Sequence, residues 1–446
     1  MKKQTKKTKY RKHRYLQCFF ITLSICIFSG AAALIGLSMY QRGAIPVNAW
    51  SSVKESSQQA AAQTTGTDQT IASGKWEKVD PAETTAEAAK TDGSRSASDA
   101  QTAEAVIQPG TLTKDDSGRI TAKQLPEQEQ ITMLFGGDVQ LADGYAPMYK
   151  LRARANGAQD CFSPETMQTM QAADIFMLNN EFTYTNRGTP TAGKKYTFRA
   201  KPDNIKVLDA LGTDIVSTAN NHSYDYGEVS LLDTIDTLNK DEMPFVGSGH
   251  NLAEASQPVI FQNSRMKIAY LSATQIERLN NPDTKGATDT TPGVFRCWQA
   301  DELLKDVQAQ KAAGCFVVAY VHWGTESTPK LDSFQTKLAD ELVQAGADLI
   351  IGDHPHVLQG IDLKNGVPVI YSLGNYWFNS GTTDTCLVRA TVQDGRLTGF
   401  QFLPARQANC YTALLSGNEK SSVLAYMRTL SPNVTIDDDG NVALPQ

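Results

Sequence analysis

Short apolar runs that alternate with amphipathic segments constrain the fold of this chain most. The runs are Ile131–Phe135, Asp174–Leu178, Asp214–Ser217, Phe316–Val321 and Asp348–Ile351. Helical segments such as SPETMQTMQAA and FQTKLADELVQAGA lie between or after them. Ser163 before Pro164 is typical of a helix start, and Gly212 and Gly346 are typical of helix ends. This alternation predicts an α/β layered domain with parallel strands.

Other segments have the pattern of antiparallel hairpins. Residues 258–274 are two apolar stretches on either side of Asn263-Ser264. Residues 362–378 and 386–403 contain Asn-Gly and Asp-Gly pairs between alternating runs, which is the usual hairpin signal. We therefore expect a parallel-rich part joined to antiparallel strands.

The N-terminus predicts a membrane anchor. Residues 1–14 carry eight Lys or Arg and no acid, and residues 15–40 are uncharged and mostly apolar. A stretch of this length spans a bilayer, and basic residues stay on the cytoplasmic side. We expect a single-pass protein of the cell membrane, with a cytoplasmic N-terminus and an extracellular domain. The alternative is a signal peptide cleaved after Ala49, but its apolar region would be unusually long.

The remaining chain divides by composition. Residues 41–128 are rich in Ala, Thr, Ser and Gln, so we expect a disordered, flexible spacer. A globular domain should occupy residues 129–412, with a C-terminal extension at 413–446. Without the basic head the net charge is −14, which argues against nucleic acid as a partner. The five cysteines of this region are irregularly spaced, which favours buried thiols over disulfides or a zinc site.

Polar side chains follow the apolar runs where the predicted strands end. Ligands of open α/β sheets gather at the carboxyl ends of strands, so these side chains should meet. In His354-Pro355-His356, proline favours an extended neighbour, and residues i and i+2 of an extended run face one way. Imidazoles beside carboxylates suit Mn, Zn or Fe. The predicted ligands of one or two divalent ions are Asp138, Glu181, Asn221, His322, His354 and His356.

The motifs GGDVQLA, LNNEFTYT, STANNHSYDYG, VHWGTE, GDHPHVLQGI and YSLGNYWF occur in this order across residues 131 to about 380. They resemble the bacterial capsule-synthesis family called CapA or PgsA, which is linked to poly-γ-glutamate capsules. That family is similar to calcineurin-like metallophosphoesterases. The resemblance therefore implies a four-layer α/β/β/α sandwich of the metallophosphoesterase type.

The resemblance also implies roles for single residues. Asp138 matches the first-strand metal aspartate, Glu181 stands in place of the bridging aspartate, and His354 and His356 would serve one metal each. Gln140 stands where metallophosphoesterases have a histidine, which weakens one metal site. Asn221 and His322 would be further ligands.

Other candidate residues surround the predicted metal site. His222 would lie near a leaving group by the same resemblance, and Asp225, three residues later, could hold its imidazole and raise its pKa. Asp225 is equally well explained as a helix-start carboxylate. Arg199, with Lys194 and Lys195, is a candidate anion clamp, and Asn375 is a second candidate substrate contact. His250 lacks a strand-end context and should lie on a surface loop or at a substrate rim.

Two functions fit these observations. The first is a metal-containing membrane protein of capsule synthesis or export that handles an anionic polymer, together with other capsule-synthesis membrane proteins. The second is a metal-dependent phosphoesterase or other hydrolase that acts on a phosphoester or another cell-envelope substrate.

Overall fold

The computed structural model describes residues 108–276 and 284–445. The predicted basic head, the predicted anchor at 15–40 and residues 41–107 of the predicted spacer lie outside these ranges. Within them, no helix has both the length and the apolar character that a bilayer span requires.

Strands dominate the described residues. The strands are β1 (Leu112–Lys114), β2 (Ile120–Gln124), β3 (Gln130–Val139), β4 (Ile175–Asn180), β5 (Thr183–Tyr184), β6 (Arg199–Ala200), β7 (Ile215–Ser217), β8 (Phe245–Val246), β9 (Ser248–Gly249), β10 (Val259–Gln262), β11 (Lys267–Thr274), β12 (Gly293–Val294), β13 (Phe316–His322), β14 (Leu349–Asp353), β15 (Ile361–Lys364), β16 (Val367–Ile370), β17 (Asn375–Trp377), β18 (Thr383–Gln393), β19 (Arg396–Ala408) and β20 (Tyr411–Leu414). The helices are α1 (Ala146–Arg152), α2 (Pro164–Gln171), α3 (Lys206–Leu211), α4 (Glu228–Lys240), α5 (Leu252–Ser256), α6 (Asp301–Ala312), α7 (Ser333–Ala345) and α8 (Gly417–Leu430).

Two eight-stranded sheets form the framework. The first sheet has the order β1-β2-β10-β11-β13-β14-β16-β15. The second has the order β20-β19-β18-β3-β4-β7-β8, and β17 pairs with β3 beside this path. Strands β3, β4, β7 and β8 run parallel, as do β11, β13, β14 and β16, whereas β10–β11, β15–β16 and β18–β19 are antiparallel pairs. The predicted mixed α/β class is therefore confirmed.

Strand alternation places the core between the two sheets. Met133 and Phe135 of β3 lie in one buried cluster with Val318 and Tyr320 of β13, although these strands belong to different sheets. The alternate residues of the second sheet pack with α2, α3 and α4. Those of the first sheet pack with α6 and α7. Each sheet thus buries both faces, which explains why its central strands are apolar throughout.

Local signals place several boundaries correctly. Ser163 caps α2, accepting a hydrogen bond from the Thr166 backbone N–H at 3.2 Å. Gly212 and Gly346 end α3 and α7 in the left-handed conformation, with φ of 77° and 108°. All five cysteines of the described residues are buried, as predicted.

Two predicted boundaries need correction. The predicted spacer extends to residue 128, but β1 and β2 lie before that point and β2 pairs with β10 of the first sheet. The predicted C-terminal extension begins at 413, but Val423, Leu424 and Met427 of α8 lie in the core between the sheets. Both segments therefore belong to the same folded unit as the central strands.

Candidate metal centre

A row of amides fixes the carboxylate of Asp138 at the end of β3. In register, Asp138 lies opposite Asn179 of β4 and Asn375 of β17. The Asn179 amide donates to Asp138 Oδ1 at 2.9 Å, and Asn220 Nδ2 donates to Asn179 Oδ1 at 3.0 Å. Asp138 Oδ1 is therefore held by a hydrogen bond from the second sheet, whereas Asp138 Oδ2 takes no part in this bond.

A second pair comes from the first sheet. His322 of β13 lies opposite Asp353 of β14 in register, and His322 Nδ1 is 2.8 Å from Asp353 Oδ1. The other ring nitrogen, Nε2, lies 2.8 Å from Asn221 Oδ1 and 3.1 Å from His354 Nδ1. When Nδ1 carries the proton, the lone pair of Nε2 faces Asn221 Oδ1, which is itself a hydrogen-bond acceptor. A carboxylate that fixes the far nitrogen in this way orients a metal-binding imidazole.

Glu181 lies between the two sheets and faces imidazoles of both. Both carboxylate oxygens are buried and have no hydrogen-bond partner among the described residues. Oε1 lies 3.8 Å from the Nε2 atoms of His222 and His322 and 3.9 Å from His356 Nε2. A buried carboxylate without donors is destabilising unless a cation satisfies it.

The donor atoms fall into overlapping groups. Those of Glu181, His322 and His354 lie within 4.8 Å of one another, as do those of Asp138, Glu181 and His356. A third such group adds Asp353 to Asp138 and His322. These donors suit one or two divalent ions, with Glu181 common to two of the groups. We call the predicted ligands the histidine–carboxylate cluster: Asp138, Glu181, Asn221, His322, His354 and His356.

Burial favours the neutral, cation-binding form of two imidazoles of the cluster. Burial lowers the pKa of His322 well below its usual value and lowers the pKa of His354 to about 3, so both imidazoles stay neutral. Burial also raises the pKa of Glu181 well above its usual value, and the charges of Asp138 and Asp353 add to this. A bound cation would favour the charged form of Glu181 and so offset the cost of burying this carboxylate.

His356 and Asp138 form an ion pair. Their closest atoms, His356 Nδ1 and Asp138 Oδ2, are 3.0 Å apart. Burial alone would lower the pKa of His356, but the hydrogen bond and charge of Asp138 outweigh it and the pKa is raised. The pKa of Asp138 is lowered in turn, because the same contacts overcome its burial.

The prediction of an extended His354-Pro355-His356 run is wrong. Strand β14 ends at Asp353, and His354 and His356 have φ of 93° and 59°. Their rings are 5.9 Å apart, but His354 contacts His322 whereas His356 contacts Asp138. Non-glycine residues with positive φ are strained, and such strain persists where the surrounding structure enforces it. The turn thus sends the two imidazoles to different donor groups.

His222 has the predicted partner but not the predicted pKa. Its Nδ1 lies 2.7 Å from Asp225 Oδ2, and Lys194 Nζ lies 2.6 Å from the other Asp225 oxygen. Burial lowers the pKa of His222, and the charge of Lys194 adds to this, so the raising effect of Asp225 is outweighed. The contact was predicted correctly, whereas the direction of the pKa change was not. Lys194 is engaged with Asp225 and with the Asn221 carbonyl.

A cavity of about 400 Å³ adjoins the histidine–carboxylate cluster, and we call it the site cavity. His222, His356, Gln140 and Asn375 are among its lining residues, and Glu326 lies in its wall. Gln140 Oε1 accepts the Ala142 backbone N–H at 2.6 Å, so this amide is already committed.

Two predicted residues lie elsewhere. Arg199 does not line the site cavity but a neighbouring one of about 320 Å³, which we call the side cavity. His250 pairs with Glu254 at 2.7 Å beside α5, and its side chain is 41% exposed. It therefore fits the surface-loop alternative.

Sequence reasoning assigned neither Asn179 nor Asp353 to the metal site. Both hold a member of the histidine–carboxylate cluster in place, as described above. The available signal was the polar pair Asn179-Asn180 inside an apolar strand, which is costly unless its amides are hydrogen-bonded.

Comparison with known proteins places this site in a family context. The profile of the family described as "Bacterial capsule synthesis protein PGA_cap" matches residues 132–380. A "PGA biosynthesis protein CapA" of Bacillus subtilis is 31% identical over 231 residues, covering 50% of this chain and 59% of that protein. A "Capsule biosynthesis protein CapA" of Bacillus anthracis is 33% identical over 211 residues, covering 46% and 50%. The chain thus spans less than two thirds of the length of these two relatives.

More distant similarities exist. A "Probable polyglutamine synthesis accessory protein" of Mycobacterium tuberculosis is 27% identical over 321 residues, covering 62% of this chain and 84% of that protein. A crystal structure of a protein from Thermus thermophilus aligns with a TM-score of 0.33 at 12% identity, covering 59% of this chain and 99% of that one. A superposition this loose supports no conclusion about function.

Proposed function

Because this chain belongs to the bacterial capsule synthesis protein family, we propose that it is a metal-binding component of capsule polymer synthesis or export. The family description and the name of the Bacillus subtilis relative both contain PGA, which we take to be poly-γ-glutamate. The two sheets with helices on their outer faces would then be the four-layer α/β/β/α sandwich of metallophosphoesterases. Other capsule-synthesis membrane proteins would be its partners.

The carboxylate of Glu181 carries the metal proposal. Its two oxygens are buried without a hydrogen-bond partner among the described residues, and the Nε2 atoms of two imidazoles of the cluster, His322 and His356, lie 3.8 and 3.9 Å from Oε1. Folding such a group costs free energy that no protein contact returns. Donors that surround it at nearly equal distances are what a cation between them would require.

The residues divide into two donor sets if two ions bind. Glu181, Asn221, His322 and His354 would hold one, while Asp138, Glu181 and His356 would hold the other. The second set has fewer protein donors, since Gln140 is committed to Ala142. Mn, Zn and Fe suit this mixture of imidazole and carboxylate.

Metal analysis of the purified full-length protein tests this proposal. We expect bound divalent metal in wild type, and a loss in a His354→Ala, His356→Ala double variant. His250→Ala is the matched control, because its side chain is remote from the histidine–carboxylate cluster, and it should retain the metal. Equal metal content in wild type and the double variant would refute the site.

A hydrolase is the second candidate, and the His222–Asp225 contact at 2.7 Å favours it. A bound divalent ion would supply a reactive hydroxide and neutralise charge at the attacked centre. Asp225 fixes the His222 ring, and His222 lines the site cavity, so its imidazole could give a proton to a leaving group there.

Variants of neighbouring residues separate the two candidates. In a hydrolase, His222→Ala should keep its metal but lose about 10²–10⁴-fold in turnover of a phosphodiester, as expected for a general acid. Asn221→Ala should instead lower metal content. If His222→Ala leaves capsule formation normal in cells and His354→Ala abolishes it, the metal is structural and the catalytic proposal fails.

The proposed topology is a single-pass anchor at residues 15–40 with the domain outside the cell. It rests on the charge asymmetry of the N-terminus. Protease added to intact, wall-stripped cells should remove the domain. Complete protection until lysis would contradict this topology.

A further inference from the structure

The side cavity is cationic in an otherwise acidic domain. Arg199 and Lys201 line it together with Tyr226 and Tyr145. Its one acidic lining residue, Asp143, is already engaged: it pairs with Arg152, and its other oxygen accepts the Lys201 backbone N–H at 2.7 Å. The charges of the Arg199 and Lys201 side chains are therefore not balanced by the cavity wall.

Arg199 is held in place by an aromatic ring. Its guanidinium lies 4.3 Å from the centre of the Tyr226 ring. It forms no ion pair with a carboxylate in the described part of the chain. Stacking on an aromatic face fixes the plane of the guanidinium while leaving its N–H donors available, which suits bidentate binding of a carboxylate or phosphate.

Tyr145 lies between the side cavity and the site cavity. It lines both of them. Its ring packs edge-on against Phe198 with centroids 4.8 Å apart, and Phe198 packs against His222 with centroids 4.3 Å apart. An elongated ligand could therefore pass Tyr145 and occupy both cavities at once.

We propose that the side cavity is an anion subsite centred on Arg199. It binds a carboxylate or phosphate group of an anionic chain while a neighbouring unit of the same chain lies in the site cavity. The inference rests on the proposed function, because it assumes that the ligand of the histidine–carboxylate cluster is polymeric. It adds that recognition depends on chain length and not only on the metal.

Calorimetric titration of the full-length, metal-loaded protein tests the subsite. The carboxylate arm compares a γ-linked glutamate tetramer with free glutamate, and the phosphate arm compares tetraphosphate with orthophosphate. Arg199→Ala should weaken binding of a tetramer about 10–100-fold, as expected for lost charge-assisted hydrogen bonds, and leave the single unit unchanged. Arg199→Lys should be intermediate, since it keeps the charge but not the planar donors.

Arg265→Ala is the matched control. Arg265 is also partly exposed, at 48% of its side chain, and pairs with Glu129 at 3.5 Å in the β10–β11 turn. It should bind both probes like wild type. The arm in which the length-dependent loss occurs identifies the anion.

Three results would overturn the subsite. They are equal losses for tetramer and single unit, no loss in Arg199→Ala, and no binding of either tetramer to metal-loaded wild type. Metal content is measured on the same samples. A wild type that holds metal but shows any of these results refutes the subsite alone, whereas a wild type without metal refutes the proposed function.

Discussion

Replacing Glu181 by glutamine should stabilise the metal-free protein and destabilise the metal-loaded one. In wild type, the two buried carboxylate oxygens lack donors among the described residues, and burial next to Asp138 and Asp353 penalises the charge. The amide has nearly the same shape, carries no charge and brings two N–H donors close to imidazole nitrogens. A buried unsatisfied polar group costs about 1–3 kcal/mol, so a gain of this order is expected with chelator present.

Divalent metal should reverse the sign of this stability difference, so that the Glu181→Gln variant becomes less stable than wild type. An ion at 100 times its dissociation constant stabilises wild type by about 2.7 kcal/mol, and the variant loses most of this because a neutral amide is a weaker ligand. At about 2–4 °C per kcal/mol, the shifts in unfolding temperature are readily measured by calorimetry. Glu302→Gln, an exposed change on α6, is the control and should shift both curves by the same small amount.

Stabilisation by Glu181→Gln with chelator and destabilisation with metal are expected together only at a cation site. If Glu181 were an ordinary structural carboxylate, glutamine would destabilise the protein equally with chelator and with metal. That outcome would refute the reasoning.

Three further predictions follow from single contacts. Asp353→Asn should lower metal affinity about 10–100-fold, because the carboxylate orients an imidazole ligand; Asp348→Asn, just before the same strand, should not, as metal titration would show. Burial raises the pKa of Asp306 to about 6, so the native state holds more protons than the unfolded state between about pH 4 and 6, and stability falls as the pH rises across that window. Asp306→Asn should therefore stabilise the protein by about 1 kcal/mol at pH 7, after allowance for solvent screening, and have no effect near pH 4, as measured by denaturant unfolding. Gly137→Ala should lower the unfolding temperature, because its Cβ would lie 2.0 Å from a facing carbonyl oxygen, whereas Gly144→Ala has open space and should leave it unchanged.

The helices and strands, and the convergence of the carboxyl ends of the strands at one site, were predictable because they depend on local sequence patterns. Asp138 and His322 each close an apolar strand, and parallel neighbours bring such ends together. The turn at His354 and His356 was not predictable, because tertiary packing holds both at positive φ against local preference. Likewise, the pKa of His222 depends on burial by Phe198 and on the charge of Lys194, which are distant in sequence.

Arg199 illustrates a different limit. Its sequence context suggested an anion contact, but only the fold shows that it opens into the side cavity. The arginine side chain alone predicted anion binding. The position of Arg199 relative to the histidine–carboxylate cluster, however, depends on the loop between β5 and β6. The C-terminal helix α8 was not predicted for a similar reason, since its apolar face is covered by strands far away in the chain.

The histidine–carboxylate cluster draws its members from both sheets. Asp138 and Glu181 lie at the ends of strands of the second sheet, whereas His322 and His354 lie at the ends of strands of the first. Neither sheet can assemble the donor set alone. During folding, the site can form only after the sheets have docked, so tight metal uptake should report the last step of maturation. A cation bound there would stabilise molecules whose sheets have packed correctly, and it would not stabilise molecules whose sheets have packed in the wrong register.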